Sequence, residues 1–252
     1  MIYYKSRREI EIMREAGLIL AATRLELERH LRPGISTYEL DQIAEKFILS
    51  KNAKPSFKGY GGFPGSICAS VNEEVIHGIP SKKRVLKDGD IISIDIGVEL
   101  RGYHADSAWT YAIGEVDSKV LKLMEISEEA LYQGLAMAKP GNRVGDISHA
   151  IESFIKPHGY GIVKEFTGHG IGKSLHEDPH VPNYGQAGTG PLLSEGMTIC
   201  IEPMVNLGTE NIKILEDEWT VVTTDKLPSA HFEHMIVITK DGYEILTPRL
   251  KE

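Results

Sequence analysis

Two segments of this chain recur at one fixed offset, and this repeat restricts the fold more than any other feature. RPGISTYELDQIAEKFI at Arg32 resembles KPGNRVGDISHAIESFI at Lys139, and LKDGDIISID at Leu86 resembles LSEGMTICIE at Leu193, 107 residues later in both cases. Because the first pair is typical of a helix and the second of a strand, the shared offset favours two related halves. The alternative is that both halves merely use common helix and strand patterns.

The repeat predicts an α+β fold in which strands of both halves join a common sheet and helices cover its outside. No Ser-, Gly- or Pro-rich linker separates the halves. Residues 1–252 are therefore predicted to form a single catalytic domain, with halves at roughly 1–110 and 115–252. A chain of this length buries roughly 70–75% of its unfolded surface, which is enough for a core without disulfides.

Capping patterns and the helical spacing of apolar residues predict four helices. Their expected ranges are Ser6 to Leu31, Ser36 to about Ser50, Ser118 to about Ala138, and Val144 to about His158. Runs typical of β-strands are IISIDIGV, YHADSAWTYAIG, TICIEPMV and HFEHMIVIT, separated by Gly, Pro and Asp turns.

The net charge and the lack of targeting signals in the sequence limit which binding partners and which cellular compartment are expected. The 28 Lys and Arg against 36 Asp and Glu give a formal net charge of −8, so stable binding to nucleic-acid phosphates is not expected. The chain has no apolar signal-peptide core and no run of 18 apolar residues, so neither export nor membrane insertion is expected. Cys68 and Cys200 are then predicted to be reduced thiols in the cytoplasm.

Four acids fall within or at the ends of β-like runs, where carboxylates are rare: Asp95, Asp106, Glu202 and Glu233. An unpaired buried carboxylate is costly, so four of them on one sheet need positive charge between them. Asp95 faces away from the apolar side of its strand, and the Arg101-Gly102 turn would place Asp106 on the neighbouring strand. The four acids are therefore predicted to converge.

His169, in the Gly-flanked segment TGHGIG, adds one imidazole to this oxygen-rich set. Such a set suits Mn, Fe or Co better than a closed thiolate zinc site. Bridging carboxylates can hold two ions about 3.5–4 Å apart, the geometry that activates a shared water for hydrolysis. Taken singly, each residue is better interpreted as a salt-bridged acid or a turn histidine, and only the combination favours a metal site.

Three short motifs are rejected on their local structure. HEDPH, from His176 to His180, matches the H-E-x-x-H zinc pattern, but Pro179 and Pro182 break the helix that this pattern needs. Glu74 and His77 resemble half of a di-iron site, but Gly78-Ile79-Pro80 follows at once and no second copy of the motif lies on a long helix. GYGGFPG lacks the lysine and hydroxyl of a phosphate-binding loop.

The remaining motifs closely resemble type I methionine aminopeptidases, which have the pita-bread fold. They are SICASVNEEVIHGIP, DGDIISIDIG, GYHADSAWTY, TGHGIG, the Leu175-His176 pair, IEPM and HFEH, and together they span nearly the whole chain. The resemblance implies two pseudo-symmetric halves that share a curved antiparallel sheet, with helices on the outer face. The chain starts directly at the first predicted helix, as in the minimal bacterial form.

By this resemblance, Asp95, Asp106, His169, Glu202 and Glu233 would hold two divalent ions, with Asp106 and Glu233 bridging them. The implied activity is removal of the N-terminal methionine from nascent proteins and peptides, with a preference for a small second residue. The implied mechanism has an activated water attack the first peptide carbonyl, with Glu202 as general base.

The resemblance also assigns His176 to stabilise the oxyanion and His77 to position the scissile amide. From the residues alone, a loop histidine without a catalytic role is the alternative for both. The methionine side chain would enter an apolar pocket lined by Phe57, Tyr60, Phe63, Cys68, Leu175 and Trp219. Phe57 stands where the family often has Cys, and Leu175 where it often has an aromatic residue, so these two are expected to change affinity rather than the preferred residue.

The basic turn Ser81-Lys82-Lys83-Arg84 resembles a loop through which bacterial relatives approach the ribosome, so transient ribosome contact by a monomer is expected.

Two alternatives to methionine removal remain. An Xaa-Pro aminopeptidase or prolidase shares the fold and the five ligands, but usually carries an additional N-terminal domain. A non-catalytic pita-bread binding protein shares the fold, but such proteins lose metal ligands.

Overall fold

The computed structural model describes residues 1–250, and in that range four α-helices begin where the capping patterns predict. They are α1 (Arg7–Glu28), α2 (Thr37–Ser50), α3 (Ser118–Ala136) and α4 (Val144–Ile155). Ser6 and Ser36 accept hydrogen bonds from the backbone N–H groups of Glu9 and Glu39, whose carboxylates accept the serine N–H groups in return. Helix α4 ends earlier than predicted, because Pro157 lies in a following 3₁₀ turn, Lys156–His158.

Apart from β4 and β5, with ten residues each, the described strands have five residues or fewer, and all the strand pairings are antiparallel. They are β1 (Lys54–Pro55), β2 (Ile67–Val71), β3 (Glu74–Ile76), β4 (Ile91–Leu100), β5 (Tyr103–Ala112), β6 (Gly161–Ile162), β7 (Gly168–Gly170), β8 (Glu177–Val181), β9 (Thr198–Ile201), β10 (Met204–Asn206), β11 (Ile212–Ile214), β12 (Val221–Thr223), β13 (Ser229–His231), β14 (His234–Ile238) and β15 (Tyr243–Ile245).

Within residues 1–250 the strands form four sheets. Backbone hydrogen bonds between the first and second halves of the chain connect these sheets. One sheet has the order β1-β4-β2, with β5 paired to β4, and another has the order β15-β14-β9-β7-β8. The two smaller sheets are β13-β10-β6 and β11-β12-β3, and the second of these pairs a strand of the first half with strands of the second half. The backbone N–H of Glu233 also donates to the carbonyl of Ala108 on β5. The predicted α+β class is confirmed.

The repeat recurs in the structure at the predicted offset. Isolated bridges pair Ser36 with Val85 and, 107 residues later, Arg143 with Leu192. The backbone bond from Thr37 to Arg84 recurs as the bond from Val144 to Pro191, each 2.9 Å long. Each half therefore attaches the start of its second helix to the segment before its central strand in the same way.

Two predicted strands are interrupted, and both interruptions fall at a candidate metal ligand. TICIEPMV divides into β9 and β10 around Glu202 and Pro203, and HFEHMIVIT divides into β13 and β14 around Phe232 and Glu233. Strand β9 pairs with β14, whereas β10 pairs with β13 and β6, so the chain changes sheets at Glu202. Pro203 has no N–H to continue a ladder, which is the physical reason for the break.

The apolar core lies on the helix side of the strands. Ile92, Ile94, Ile96 and Val98 alternate along β4 and are buried in one cluster with residues of α1 and α2. A second cluster lies among α3, α4, β9 and β14. The alternation therefore turns Asp95 to the opposite face, as predicted. None of the helices within residues 1–250 is long and apolar enough to span a bilayer.

Candidate metal centre and substrate cavity

Asp95 and Asp106 lie on the β4–β5 hairpin, whose two-residue turn is Arg101-Gly102. Both turn residues have positive φ, 52° and 80°. A two-residue type I′ turn requires this, because its backbone then matches the right-handed twist of the strands. The register pairs Asp106 with Gly97 and Asp95 with Ala108. The two aspartates are therefore close diagonal neighbours on one face of the hairpin.

Glu202 and Glu233 reach this face from the two strand interruptions. Oxygen atoms of Asp95, Asp106 and Glu233 lie within 4.8 Å of one another. Glu233 is placed there by the backbone bond to Ala108, which is the cross-strand partner of Asp95. The four acids come from both halves of the chain and converge as the sequence predicts.

His169 approaches the acids from β7. Its Nε2 lies 3.5 Å from Oε1 of Glu202 and 3.8 Å from Oδ2 of Asp106. Its Nδ1 lies 2.8 Å from the carbonyl oxygen of Gly170, so Nδ1 carries the hydrogen and Nε2 faces the carboxylates with its lone pair. The flanking glycines are required here, because a Cβ at Gly168 or Gly170 would collide with a carbonyl oxygen.

Burial shifts the titration of this site toward neutral forms. It raises the pKa of all four carboxyl groups, and repulsion between the acids raises the pKa of Asp106, Glu202 and Glu233 further. Burial also lowers the pKa of His169 to about 3. Among residues 1–250, one oxygen each of Asp95, Asp106 and Glu233 is buried without a hydrogen-bond partner. Unpartnered carboxylate oxygens beside an unprotonated imidazole nitrogen fit divalent cations.

A cavity of about 660 Å³ opens beside the acids, and all the sequence-predicted site residues line it. The predicted pocket residues among them are Phe57, Tyr60, Phe63, Cys68, Leu175 and Trp219. The rings of Phe63 and Trp219 meet edge to face at 5.2 Å. Leu175 and Phe57 also belong to the apolar core, so both core and cavity use them. The cavity lining therefore combines apolar and aromatic side chains with a few acidic groups, as is common in ligand pockets.

His77 and His176 stand on the walls of this cavity. His77 has a positive φ of 59°, and its ring meets Phe166 and Trp219 edge to face. Burial lowers the pKa of His77 to about 4 and also lowers the pKa of His176. Nδ1 of His176 lies 2.8 Å from the hydroxyl of Tyr60, and the ring centroid lies 4.3 Å from that of His169. In both residues burial therefore favours the neutral imidazole.

Phe166 and His231 are among the residues at the site that the sequence reasoning missed. Phe166 lines the cavity and contacts His77, and His231 lies against Glu202, with 3.5 Å between Nε2 and Oε2. The two-residue period of a strand could have predicted His231, because residues two positions apart lie on the same face and His231 lies two residues before Glu233. The rejected HEDPH motif lies largely in strand β8 rather than on a helix.

Comparisons with known proteins agree over nearly the whole chain. Residues 11–240 match the model of metallopeptidase family M24. The chain is 58% identical over 247 residues to methionine aminopeptidase 1 of Bacillus subtilis, covering 98% of this chain and 99% of that protein. The crystal structure of methionine aminopeptidase from Rickettsia prowazekii has a TM-score of 0.96 at 42% identity, over 98% of this chain and 100% of that one.

A prolidase from Pyrococcus horikoshii is similar at lower identity. Its TM-score is 0.79 at 27% identity, and the match covers 99% of this chain but only 64% of the prolidase. The similarity to methionine aminopeptidases is therefore end to end, whereas the similarity to the prolidase leaves a third of that protein unmatched.

Proposed function

The chain belongs to metallopeptidase family M24 and its activity is removal of an N-terminal methionine; from this premise we propose how its residues perform that reaction. Asp95, Asp106, His169, Glu202 and Glu233 would hold two divalent ions. The observation that carries this assignment is the set of buried, unpartnered carboxylate oxygens beside Nε2 of His169. Mn, Fe and Co all suit such ligands.

Bound divalent ions would polarise the scissile carbonyl and lower the pKa of the attacking water. Glu202 would accept the proton of that water and deliver it to the leaving amine. This role is supported by its position, because the side chain both contacts His169 and lines the cavity. The free amine of the substrate would lie at the acidic end, so only a terminal residue would fit.

The two wall histidines would act as neutral groups. His176 would donate a hydrogen bond to the oxygen on which negative charge develops, with its Nδ1 occupied by Tyr60. His77 would bind the scissile amide beside Phe166 and Trp219. The methionine side chain would lie against Phe57, Phe63, Cys68, Leu175 and Trp219, because a thioether contacts aromatic rings favourably. We expect small second residues to be preferred.

We also assign residues 1–250 to one catalytic domain, because strand β3 pairs with β12 and the acids come from both halves. Residues 251–252 of the predicted domain lie outside the described residues. A cytoplasmic monomer that contacts the ribosome transiently remains our proposal. Of the three basic residues concerned, Arg84 donates to the carbonyl of Val71 and lies within 4.0 Å of Glu73 and Glu74. Lys82 lies over the ring of Tyr38. Lys82 and Lys83 would therefore carry most of any ribosome contact, which would weaken with salt.

Metal removal and replacement tests the assignment. The protein is treated with a chelator, Mn, Co or Fe is restored in turn, and hydrolysis of matched peptides beginning Met-Ala and Ala-Pro is compared. We expect restored cleavage of the Met-Ala peptide alone, and two ions per chain by calorimetry. Preference for Ala-Pro would favour the prolidase alternative, and no turnover with any metal would favour the binding-protein alternative.

Asp106→Asn and Asp41→Asn are a matched pair for this experiment. Both aspartates are buried, but Asp41 accepts the backbone N–H groups of Ser66 and Ile67 and is not among the described residues that line the cavity. Asp106→Asn should lose ion binding and turnover, because an amide is a poor ligand for these ions. Asp41→Asn should retain the ion stoichiometry. Equal ion binding by the two variants would contradict the proposed ligand set.

A further inference from the structure

His231 is a buried histidine that contacts Glu202 from the side opposite to His169. Its side chain is 2% exposed, and its Nε2 lies 3.5 Å from Oε2 of Glu202. The other oxygen of the same carboxylate, Oε1, lies 3.5 Å from Nε2 of His169. Each oxygen of Glu202 therefore faces a different imidazole, and the two imidazoles come from different sheets.

The backbone of His231 is held in place by both halves of the chain. Strand β13 pairs it with Met204 on β10. Its N–H donates to Oγ1 of Thr110 at 3.0 Å, and its carbonyl accepts from the same hydroxyl at 2.8 Å. Because that hydroxyl has one hydrogen, Ser93 must donate to Thr110 in the 2.8 Å contact between them. The ring therefore projects from a backbone whose N–H and carbonyl are both bonded to Thr110, which Ser93 in turn orients.

Nε2 of His231 has no hydrogen-bond partner within normal distance in the described part of the chain. A buried ring nitrogen without a partner is costly, and the carboxylate of Glu202 is an acceptor only a few tenths of an ångström beyond normal hydrogen-bond length. His231 is not among the residues that line the cavity in residues 1–250, so it would not contact a substrate. It is placed to act on Glu202.

We propose that His231 is a positioning residue whose Nε2–H donates to Oε2 of Glu202 and so holds Oε1 toward the cavity and His169. The role of His231 rests on the proposed role of Glu202 as general base. A general base must point at the proton that it accepts, and a carboxylate held from behind by one donor loses the rotation that would turn it away. The competing interpretation is a sixth metal ligand, because ligand atoms of Glu202, His231 and Glu233 lie within 4.8 Å of one another.

Three variants distinguish these roles in the metal-loaded protein. His231→Leu keeps the approximate size and removes the donor, His231→Gln keeps an N–H donor at similar reach, and His231→Asn has the same amide one carbon shorter. We expect His231→Leu to lower kcat by about tenfold to a hundredfold, as expected for a lost hydrogen bond to a charged group. KM for a Met-Ala peptide should change by less than about twofold. His231→Gln should restore most of kcat, and His231→Asn should not.

Calorimetric titration with Mn provides the readout that does not depend on activity. All three variants should bind the same number of ions as the parent protein. A lower ion stoichiometry in His231→Leu would overturn the positioning role and make His231 a ligand. Unchanged kcat in His231→Leu, or equal kcat in the Gln and Asn variants, would also overturn it. If His231→Leu does not fold, the comparison of Gln with Asn decides the question.

Glu202→Gln separates the failure of this inference from failure of the proposed function. If Glu202→Gln keeps the parent kcat, Glu202 is not the general base, and the positioning role proposed for His231 is then also overturned. If Glu202→Gln loses activity but His231→Leu does not, only the role of His231 is overturned.

Discussion

At the scale of single residues, loss of water decides the chemistry of the cavity. Burial raises the pKa of Asp95 and Asp106 and lowers the pKa of His77 to about 4, because a charged form is penalised wherever solvent is excluded. The acids could be predicted from the sequence, since carboxylates inside apolar strands are unusual. The wall histidines could be placed only by resemblance, because a loop histidine carries no periodic signal.

Tyr60 fixes the ring of His176, and this contact can be tested alone. Tyr60→Phe removes the hydroxyl that lies 2.8 Å from Nδ1 and keeps the aromatic wall. We expect kcat/KM for a Met-Ala peptide to fall about fivefold, because one hydrogen bond contributes about 1 kcal/mol.

Tyr103→Phe is the control for that loss. It removes a hydroxyl that donates to Glu9, on α1, and Tyr103 is not among the described residues that line the cavity. Its kcat/KM should equal that of the parent protein. Equal activity of both variants would show that His176 does not need Tyr60 for its orientation.

At the scale of elements, the helices follow local rules and the strands of the second half do not. The helix starts at Ser6 and Ser36 were predicted from capping residues alone and are confirmed. The interruptions at Glu202 and Glu233 were not predicted, because a change of strand partner depends on other strands. Pro203 was the one local signal, since a proline inside a strand pattern argues against a continuous ladder.

The capping box of α1 predicts a pH-dependent contribution to stability. Hydrogen bonds from Ser6, and a further one from Tyr103, lower the pKa of Glu9 to about 2. A lowered carboxyl pKa stabilises the folded state above the unfolded value of 4.5, and this contribution disappears as the pH falls toward about 2. Glu9→Gln should lower the free energy of unfolding by about 1 kcal/mol at neutral pH, a value reduced because the side chain is partly exposed.

Urea unfolding across this pH range measures the difference. Glu11→Gln is the matched control on the same helix, because Glu11 is largely exposed and pairs with Arg14 on the surface; its effect should be close to zero at every pH. A Glu9→Gln difference that stayed constant down to pH 2 would contradict the assignment.

At the scale of the whole molecule, Arg24 forms hydrogen bonds to segments that are far apart in the chain. From α1 it donates to Oγ of Ser107 on β5 and to the carbonyls of Thr247 and Pro248 near the C-terminal end of the described chain. Ser107 in turn donates to the carbonyl of Glu233. The same buried guanidinium therefore supports both the closure of the fold and the backbone of a candidate metal ligand.

Arg24→Met should lower the free energy of unfolding by about 3 kcal/mol, because three acceptors lose their donor while the apolar stem is retained. Arg249→Met is the control, since Arg249 lies over the same ring of Trp109 but is partly exposed. Its effect should be below about 1 kcal/mol. Equal losses in urea unfolding would mean that the buried hydrogen bonds of Arg24 contribute nothing specific.

The motifs of the sequence identified the family by resemblance. By itself, the sequence also determined the α+β class, the helix starts and the convergence of four acids with His169. These follow from short-range physics and from the repeat: capping, the period of strands and helices, and a two-residue turn that sets a hairpin register. The pita-bread resemblance is confirmed by the end-to-end similarity to methionine aminopeptidases, whereas the individual ligand and catalytic roles remain predictions.

Only the tertiary structure decided how Glu202 sits between His169 and His231, how Tyr60 meets His176, and how Arg24 reaches β5 and the C-terminal segment. Each of these contacts joins residues that are distant in the chain, from about 30 to more than 200 positions apart. No local sequence pattern encodes such a contact, because the contact depends on the relative positions that separate strands and helices adopt when their apolar faces are buried.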